Sequence, residues 1–91
     1  MTQTTPPVSP LIRLHPQDNV LVAKTDLSLG QALADIGARA RAQVPAGHKI
    51  AARRIDQGEK VLKYNTVIGV AARTLEAGDH VHTHNLTLVD F

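Results

Sequence analysis

Leu75-Glu76-Ala77-Gly78-Asp79-His80-Val81-His82-Thr83-His84-Asn85 joins a glycine turn to a segment with histidine at every second position. In an extended strand, side chains alternate between two faces. The alternation predicts a strand over residues 81–84, with His80, His82 and His84 on one face and Val81, Thr83 and Asn85 on the other. A helix would scatter the imidazoles around its circumference. Three imidazoles on one face can ligate a divalent metal, relay protons or receive an anion. The plainer reading is an exposed polar face or a subunit contact.

The same punctuation occurs four times. Leu27-x-x-Gly30-x-x-Leu33, Val44-x-x-Gly47-x-x-Ile50, Ile55-x-x-Gly58-x-x-Val61 and Leu75-x-x-Gly78-x-x-Val81 each set a glycine midway between two apolar residues. Glycine supplies the positive φ of tight turns, and the flanking apolar residues fold both arms onto one core. The spacings are too irregular for a solenoid, so the pattern predicts an all-β fold of short strands with at most a short helix. Period-two patterning adds strands over residues 11–15, 19–24, 49–52, 61–64, 67–71 and 86–89, with Pro16-Gln17-Asp18 turning between the first two. Residues 31–44 carry conflicting signals. Their alanines favour helix, yet Ala38-Arg39-Ala40-Arg41-Ala42-Gln43-Val44 alternates strictly, which predicts a half-buried strand. Asp35-Ile36-Gly37 turns the chain before it, with room for a short helix over 30–36. Residues 1–10, rich in Pro and Thr, read as a disordered lead, leaving 11–91 as a single domain.

Composition narrows the function. A chain of 91 residues with 43% hydrophobic content is one small domain, and with Tyr64 and Phe91 its only aromatics, Val, Ile, Leu and Ala must build the core. The absence of Cys removes disulfides and thiolate metal sites. Few aromatics and a formal charge of +2 argue against a nucleic-acid partner and suit small carboxylate or phosphate ligands. No apolar run is long enough for a bilayer span and the N-terminus lacks a signal-peptide pattern, so a cytoplasmic location without a membrane partner is expected.

Several motifs then occur in one order: His15-Pro16-x-Asp18-Asn19-Val20, Val44-Pro45-Ala46-Gly47-His48-Lys49-Ile50-Ala51, Gly58-Glu59-Lys60-Val61-Leu62-Lys63-Tyr64, Val67-Ile68-Gly69 and Ala77-Gly78-Asp79 leading into the histidines. Together they resemble the N-terminal SAF-type domain of altronate and galactarate dehydratases, which also occurs as the separate small subunit of sulfolactate sulfo-lyase. The resemblance covers about residues 11–89 and implies a β-clip fold. It further implies a lyase that removes water or sulfite from a sugar acid or sulfonated hydroxy acid to give a 2-keto acid. A divalent metal, Fe2+ or Mn2+, belongs to that chemistry, held in the complete enzyme. So does a separate large catalytic subunit, without which this chain would be inactive. The chain departs from the pattern at Asn65, where relatives commonly carry Gly, and across the Ala- and Arg-rich 31–44.

Such an elimination needs a base for the proton α to the carboxylate, an acid for the leaving group, and positive charge for the developing enediolate. His82, His84 and His48 are the catalytic candidates, with His80, His82 and His84 as the candidate metal ligands. Lys49 and Lys63 would neutralise substrate carboxylate, and Tyr64 and Asn85 would hydrogen bond. Each has a plainer role: turn packing for His48, solvation for Lys63, a core position for Tyr64, a backbone brace for Asn85. His15 reads as a cap on the first strand, and Arg53-Arg54 as surface. Two other classes stay open, a non-catalytic carbohydrate- or ligand-binding SAF module and a stand-alone metal-binding protein.

Overall fold

The computed structural model describes residues 9–88. Among them are nine short strands: β1 (Leu11–Ile12), β2 (Val20–Ala23), β3 (Ala32–Leu33), β4 (Ala38–Arg39), β5 (Lys49–Ala51), β6 (Lys60–Lys63), β7 (Thr66–Ala71), β8 (His80–Val81) and β9 (Leu86–Thr87). A single 3-10 turn, Ala34–Ile36, separates β3 from β4 and ends at Gly37 in the left-handed conformation. The chain is all-β, as its glycine pattern predicts.

Val20-Leu21-Val22-Ala23 is an unbroken apolar run because both faces of its strand are covered. It lies inside an antiparallel sheet of order β1-β2-β5-β8, which divides two hydrophobic cores. Leu21 pairs with Ile50, and both belong to one core with Leu27, Leu33 and Val44. Val20 pairs with Ala51, and both belong to the other with Ile55, Val61, Leu75 and Val81. Each fully buried Val, Ile or Leu contributes about 1.5–3 kcal/mol.

The glycine turns associate in twos. Leu27 bridges Val44, and Ile55 bridges Leu75, each pair exchanging backbone hydrogen bonds of 2.8–3.0 Å. One rule holds all four in place. The N–H groups of Gly30, Gly47, Gly58 and Gly78 donate to the carbonyls of Ala40, Ala23, Ala71 and Ala51 at 2.7–2.9 Å. All four alanines are buried, so the turns close over small side chains.

The hairpin β6–β7 closes through Tyr64-Asn65, with φ of 56° and 57°. Positive φ at both positions is the signature of a two-residue hairpin turn whose twist matches the strands. Asn65 takes the left-handed conformation in place of glycine, as its chemistry allows. Asp18 fixes this loop: its two carboxylate oxygens accept the Tyr64 and Asn65 N–H groups at 2.7 Å each. Asn19 donates to the Lys60 carbonyl and accepts from the Leu62 N–H, beside a register shift in the hairpin. Two consecutive buried polar residues thus tie β6–β7 to the central sheet.

Several expectations need correction. The strand expected over 81–84 ends at Val81, and His82, Thr83, His84 and Asn85 form a turn closed by the Asn85 N–H on the His82 carbonyl at 3.1 Å. The strand expected over 38–44 is confined to Ala38–Arg39, because the N–H groups of Ala40, Arg41 and Val44 go to three different partners, Gln31, Gly78 and Leu27. The first strand stops at Ile12 rather than 15. His15 lies in the turn beyond it, where Nδ1 accepts the Gln17 N–H. Tyr64 is 68% exposed and not a core residue. The disordered lead falls largely on residues 1–8, and the end of the strand expected over 86–89 on residue 89, outside the described residues. Pro10 already joins the fold, its carbonyl accepting from Lys24 at 2.8 Å.

Candidate functional site

The strand pairing that builds the sheet also assembles the histidines. Lys49 faces Val81 and Ile50 faces His80 in the β5–β8 register. The next step along that register sets His48 opposite His82. Their rings stack with centroids 4.5 Å apart and planes 22° apart. His48 Nδ1 and His80 Nε2 are 2.9 Å apart, so one ring donates and the other accepts across a single proton. His80 and His82 lie nearly parallel at 5.5 Å. Ligand nitrogens of His48, His80 and His82 all fall within 4.8 Å of one another.

His84 stands at the margin. It is exposed, with its ring tilted against His80 at 5.3 Å. The compact group is therefore His48, His80 and His82, rather than the trio expected on one strand face. Asn85, fully buried, explains the exchange. Its Oδ1 accepts the His82 N–H at 2.9 Å and its Nδ2 donates to the His80 carbonyl at 2.6 Å, reversing the chain just after β8.

Desolvation and mutual repulsion disfavour the charged forms of His80 and His82. The pKa of His80 lies below its ordinary value because of burial first, then the charges of His48, His84, His82 and Lys49. The pKa of His82 is lowered by desolvation first, then by His48, Lys49 and His84. A neutral imidazole keeps a lone pair for a metal or a proton.

Lys49 and Lys63 join His82 in a groove of about 270 Å³, whose apolar walls are Ile68, Leu86 and Leu88. Burial, and then the charge of Lys63, holds the Lys49 ammonium below its usual pKa. No acidic residue lines the groove among the described residues. The ion pairs among the described residues belong instead to Arg41, Arg53 and Arg54. A hollow of about 300 Å³ beside Asp26 and Gln43 has no cation in its lining and lacks this chemistry.

Of the residues singled out in the sequence, His48, His80, His82, Lys49 and Lys63 are thus brought together. Tyr64 follows Lys63 but does not line the groove, and Asn85 lies beneath the histidines as a brace. Sequence reasoning missed Ile68 and Leu86 as groove walls, and Asp18 as the anchor of the Lys63-Tyr64-Asn65 segment. An acid beside Asn19 in a Pro-led turn is the only signal for Asp18, and it equally suits a plain turn residue. No helix among the described residues is long and apolar enough to cross a membrane.

A family model described as the altronate/galactarate dehydratase SAF domain matches residues 9–89. Altronate dehydratase of Bacillus subtilis is 37% identical over 76 residues, which cover 81% of this chain and 15% of that protein. Altronate dehydratase of Escherichia coli is 41% identical over 76 residues, with the same shares. The (2R)-sulfolactate sulfo-lyase subunit alpha of Paracoccus pantotrophus is 43% identical over 51 residues, covering 56% of this chain and 76% of that subunit. The match therefore takes in about 15% of the length of the dehydratases.

Proposed function

The chain belongs to the altronate/galactarate dehydratase SAF-domain family, and from that membership we propose that it is the small component of a lyase. The reaction is dehydration of a sugar acid, or elimination of sulfite from sulfolactate, to a 2-keto acid. A larger catalytic subunit supplies the rest of the site. The observation that carries this reading is that His82 both clusters with His48 and His80 and lines a groove with Lys49 and Lys63, with no carboxylate lining that groove among the described residues.

The parts suit the reaction's demands. The lysines receive the substrate carboxylate and offset the negative charge that grows as the α proton leaves. An imidazole of the trio takes or returns a proton near neutral pH, and the His48–His80 contact gives that proton a second nitrogen to occupy. The donor set also fits a divalent ion. Three neutral imidazoles would hold Fe2+ through His48, His80 and His82, whereas Mn2+, with its preference for oxygen ligands, suits them less. Bound there, such an ion would polarise a substrate oxygen.

The test is to capture the partner from a lysate with the tagged chain and assay the complex for 2-keto acid release from altronate, galactarate and sulfolactate. Activity in the complex, lost by about 100-fold or more in His82→Ala while the subunit stays folded, is the expected result. A His48→Ala/His82→Ala double variant with wild-type turnover would overturn the site. Absence of lyase activity in any captured complex would leave a ligand-binding module. Metal binding is read separately, from the visible absorption of Co2+ added to the chain and its loss in His48→Ala.

A further inference from the structure

We infer that Pro45 is a positioning residue for His48. By removing the backbone N–H on which a side chain at position 48 would otherwise close, it leaves the imidazole free to join His80 and His82. The inference rests on the lyase reading for the use of His48 and adds a residue to that same site.

Each glycine turn is a four-residue unit that ends just before a strand: Ser28 to Gln31 before β3, Pro45 to His48 before β5, Asp56 to Glu59 before β6, and Glu76 to Asp79 before β8. In all four, the N–H of the last residue donates to the carbonyl of the first at 2.9–3.0 Å. In three, a second bond runs the other way, from the first N–H to the last side chain. Gln31 Oε1 accepts from Ser28 at 3.0 Å, Glu59 Oε1 from Asp56 at 3.1 Å, and Asp79 Oδ2 from Glu76 at 2.8 Å. The remaining turn begins with proline, which has no N–H to give.

His48 is therefore the one side chain at this position that does not lock its own turn. Its Nδ1 lies 2.9 Å from His80 Nε2 instead, and its ring stacks on His82. An imidazole is able to hold a turn, as His15 shows: its Nδ1 accepts the Gln17 N–H at 3.1 Å. An N–H at position 45 would thus compete with His80 for the same nitrogen. Stiffening the turn does not account for the proline, because the other three keep the same backbone bond and a glycine at positive φ without one. Packing does not account for it either, because Pro45 is exposed.

The experiment is heteronuclear NMR of the full 91-residue chain beside Pro45→Ala, with Co2+ as the metal probe. The amide that Pro45→Ala introduces is expected to show a coupling across a hydrogen bond to His48 Nδ1. The contacts between the His48 and His82 rings should weaken, while amide dispersion elsewhere stays that of the wild type. Co2+ affinity should fall by about tenfold or more, the scale on which partners that orient a ligand act; if the wild type takes up no Co2+, the coupling and the ring contacts decide. Absence of the coupling, or ring contacts unmoved by the substitution, would overturn the inference. So would loss of folding in Pro45→Ala, which would make the proline a structural part of the turn. Lyase activity in the captured complex, with the ring unmoved in Pro45→Ala, would sink this inference alone. Displacement of the ring in a chain whose complexes lack lyase activity would sink only the lyase reading.

Discussion

Asn85 has no exposed surface, and both ends of its amide are spent on the backbone of His80 and His82. Truncation to Ala leaves a buried donor and a buried acceptor without partners, which costs about 1–3 kcal/mol. Asn85→Ala is therefore expected to lower the unfolding free energy by that amount, read from the urea midpoint and slope, and to erase the NMR contacts between the His48 and His82 rings. An unchanged midpoint with the ring contacts intact would show that the strand pairing alone positions the trio. Tyr64 poses the opposite case. A bulky residue at φ 56° is strained by about 1–2 kcal/mol, and its ring is largely exposed, so little packing offsets the cost. Tyr64→Asn should hold stability or raise it by up to about 1 kcal/mol, measured by the same urea titration. A clear loss would mean that the ring packs against something essential. Aromatic size suggested a core tyrosine, but the backbone demand of a two-residue hairpin loop overrode it, and the only sequence mark of that demand was Asn65.

The four glycine turns obey one hydrogen-bond rule, but they differ in what lies beyond the glycine. A Cβ on Gly58 would meet nothing within 4 Å, whereas on Gly78 it would run into the Arg39 carbonyl. The same place holds the Arg41 N–H on the Gly78 carbonyl at 2.9 Å, so the chain cannot simply step aside. Gly58→Ala should cost only the left-handed penalty of about 1–2 kcal/mol, a fall in Tm of several degrees for a domain this size. Gly78→Ala should cost at least twice as much or prevent folding. Equal losses in thermal denaturation would make the conformational penalty the whole story. These turns and their apolar flanks were legible in the sequence because a positive φ and a buried neighbour leave local marks. Which turn bridges which was not legible, since Leu27 meets Val44 and Ile55 meets Leu75 through the packing of the two cores. The alternation over 38–44 was half right: Ala40 and Val44 are buried while Arg39 and Arg41 are exposed, yet no ladder runs through the segment. Period two reports where side chains face, and hydrogen bonding is decided by neighbours the pattern does not contain. The histidine segment repeats the lesson. Its strand reading held through Val81, and the Asn85 turn then left His84 at the margin while the sheet brought in His48 from far along the chain.

Two groups of positive charge among the described residues are treated oppositely. The arginines Arg41, Arg53 and Arg54 meet acids near the surface, while the histidines and Lys49 crowd together with burial and repulsion lowering the pKa of His80, His82 and Lys49. The crowding fixes the sign of the acid response. In the unfolded chain His80 and His82 take up protons near the ordinary value of 6.5, whereas in the fold they do so only at lower pH. Between the two values the unfolded state binds more protons, so stability falls as pH drops through that window and is insensitive to these rings above it. Glu59 adds a second, more acidic window. Its pKa lies below 4.5, chiefly through its hydrogen bond from Arg53, so its contribution is present above that value and is lost as pH falls through the depressed one. The urea midpoint should therefore stay level from about pH 8 to about pH 7 and decline from about pH 6.5 downward. A His80→Gln/His82→Gln variant should remove the upper part of the decline and leave the Glu59 part in place. A bound small anion should shrink the upper decline, because it raises the folded-state pKa of the rings back toward the unfolded value. If the midpoint of the ligand-free chain instead rose on acidification, the rings would be gaining an anionic partner within the fold, and the groove beside His82 would not be the acid-free cationic site that receives a carboxylate.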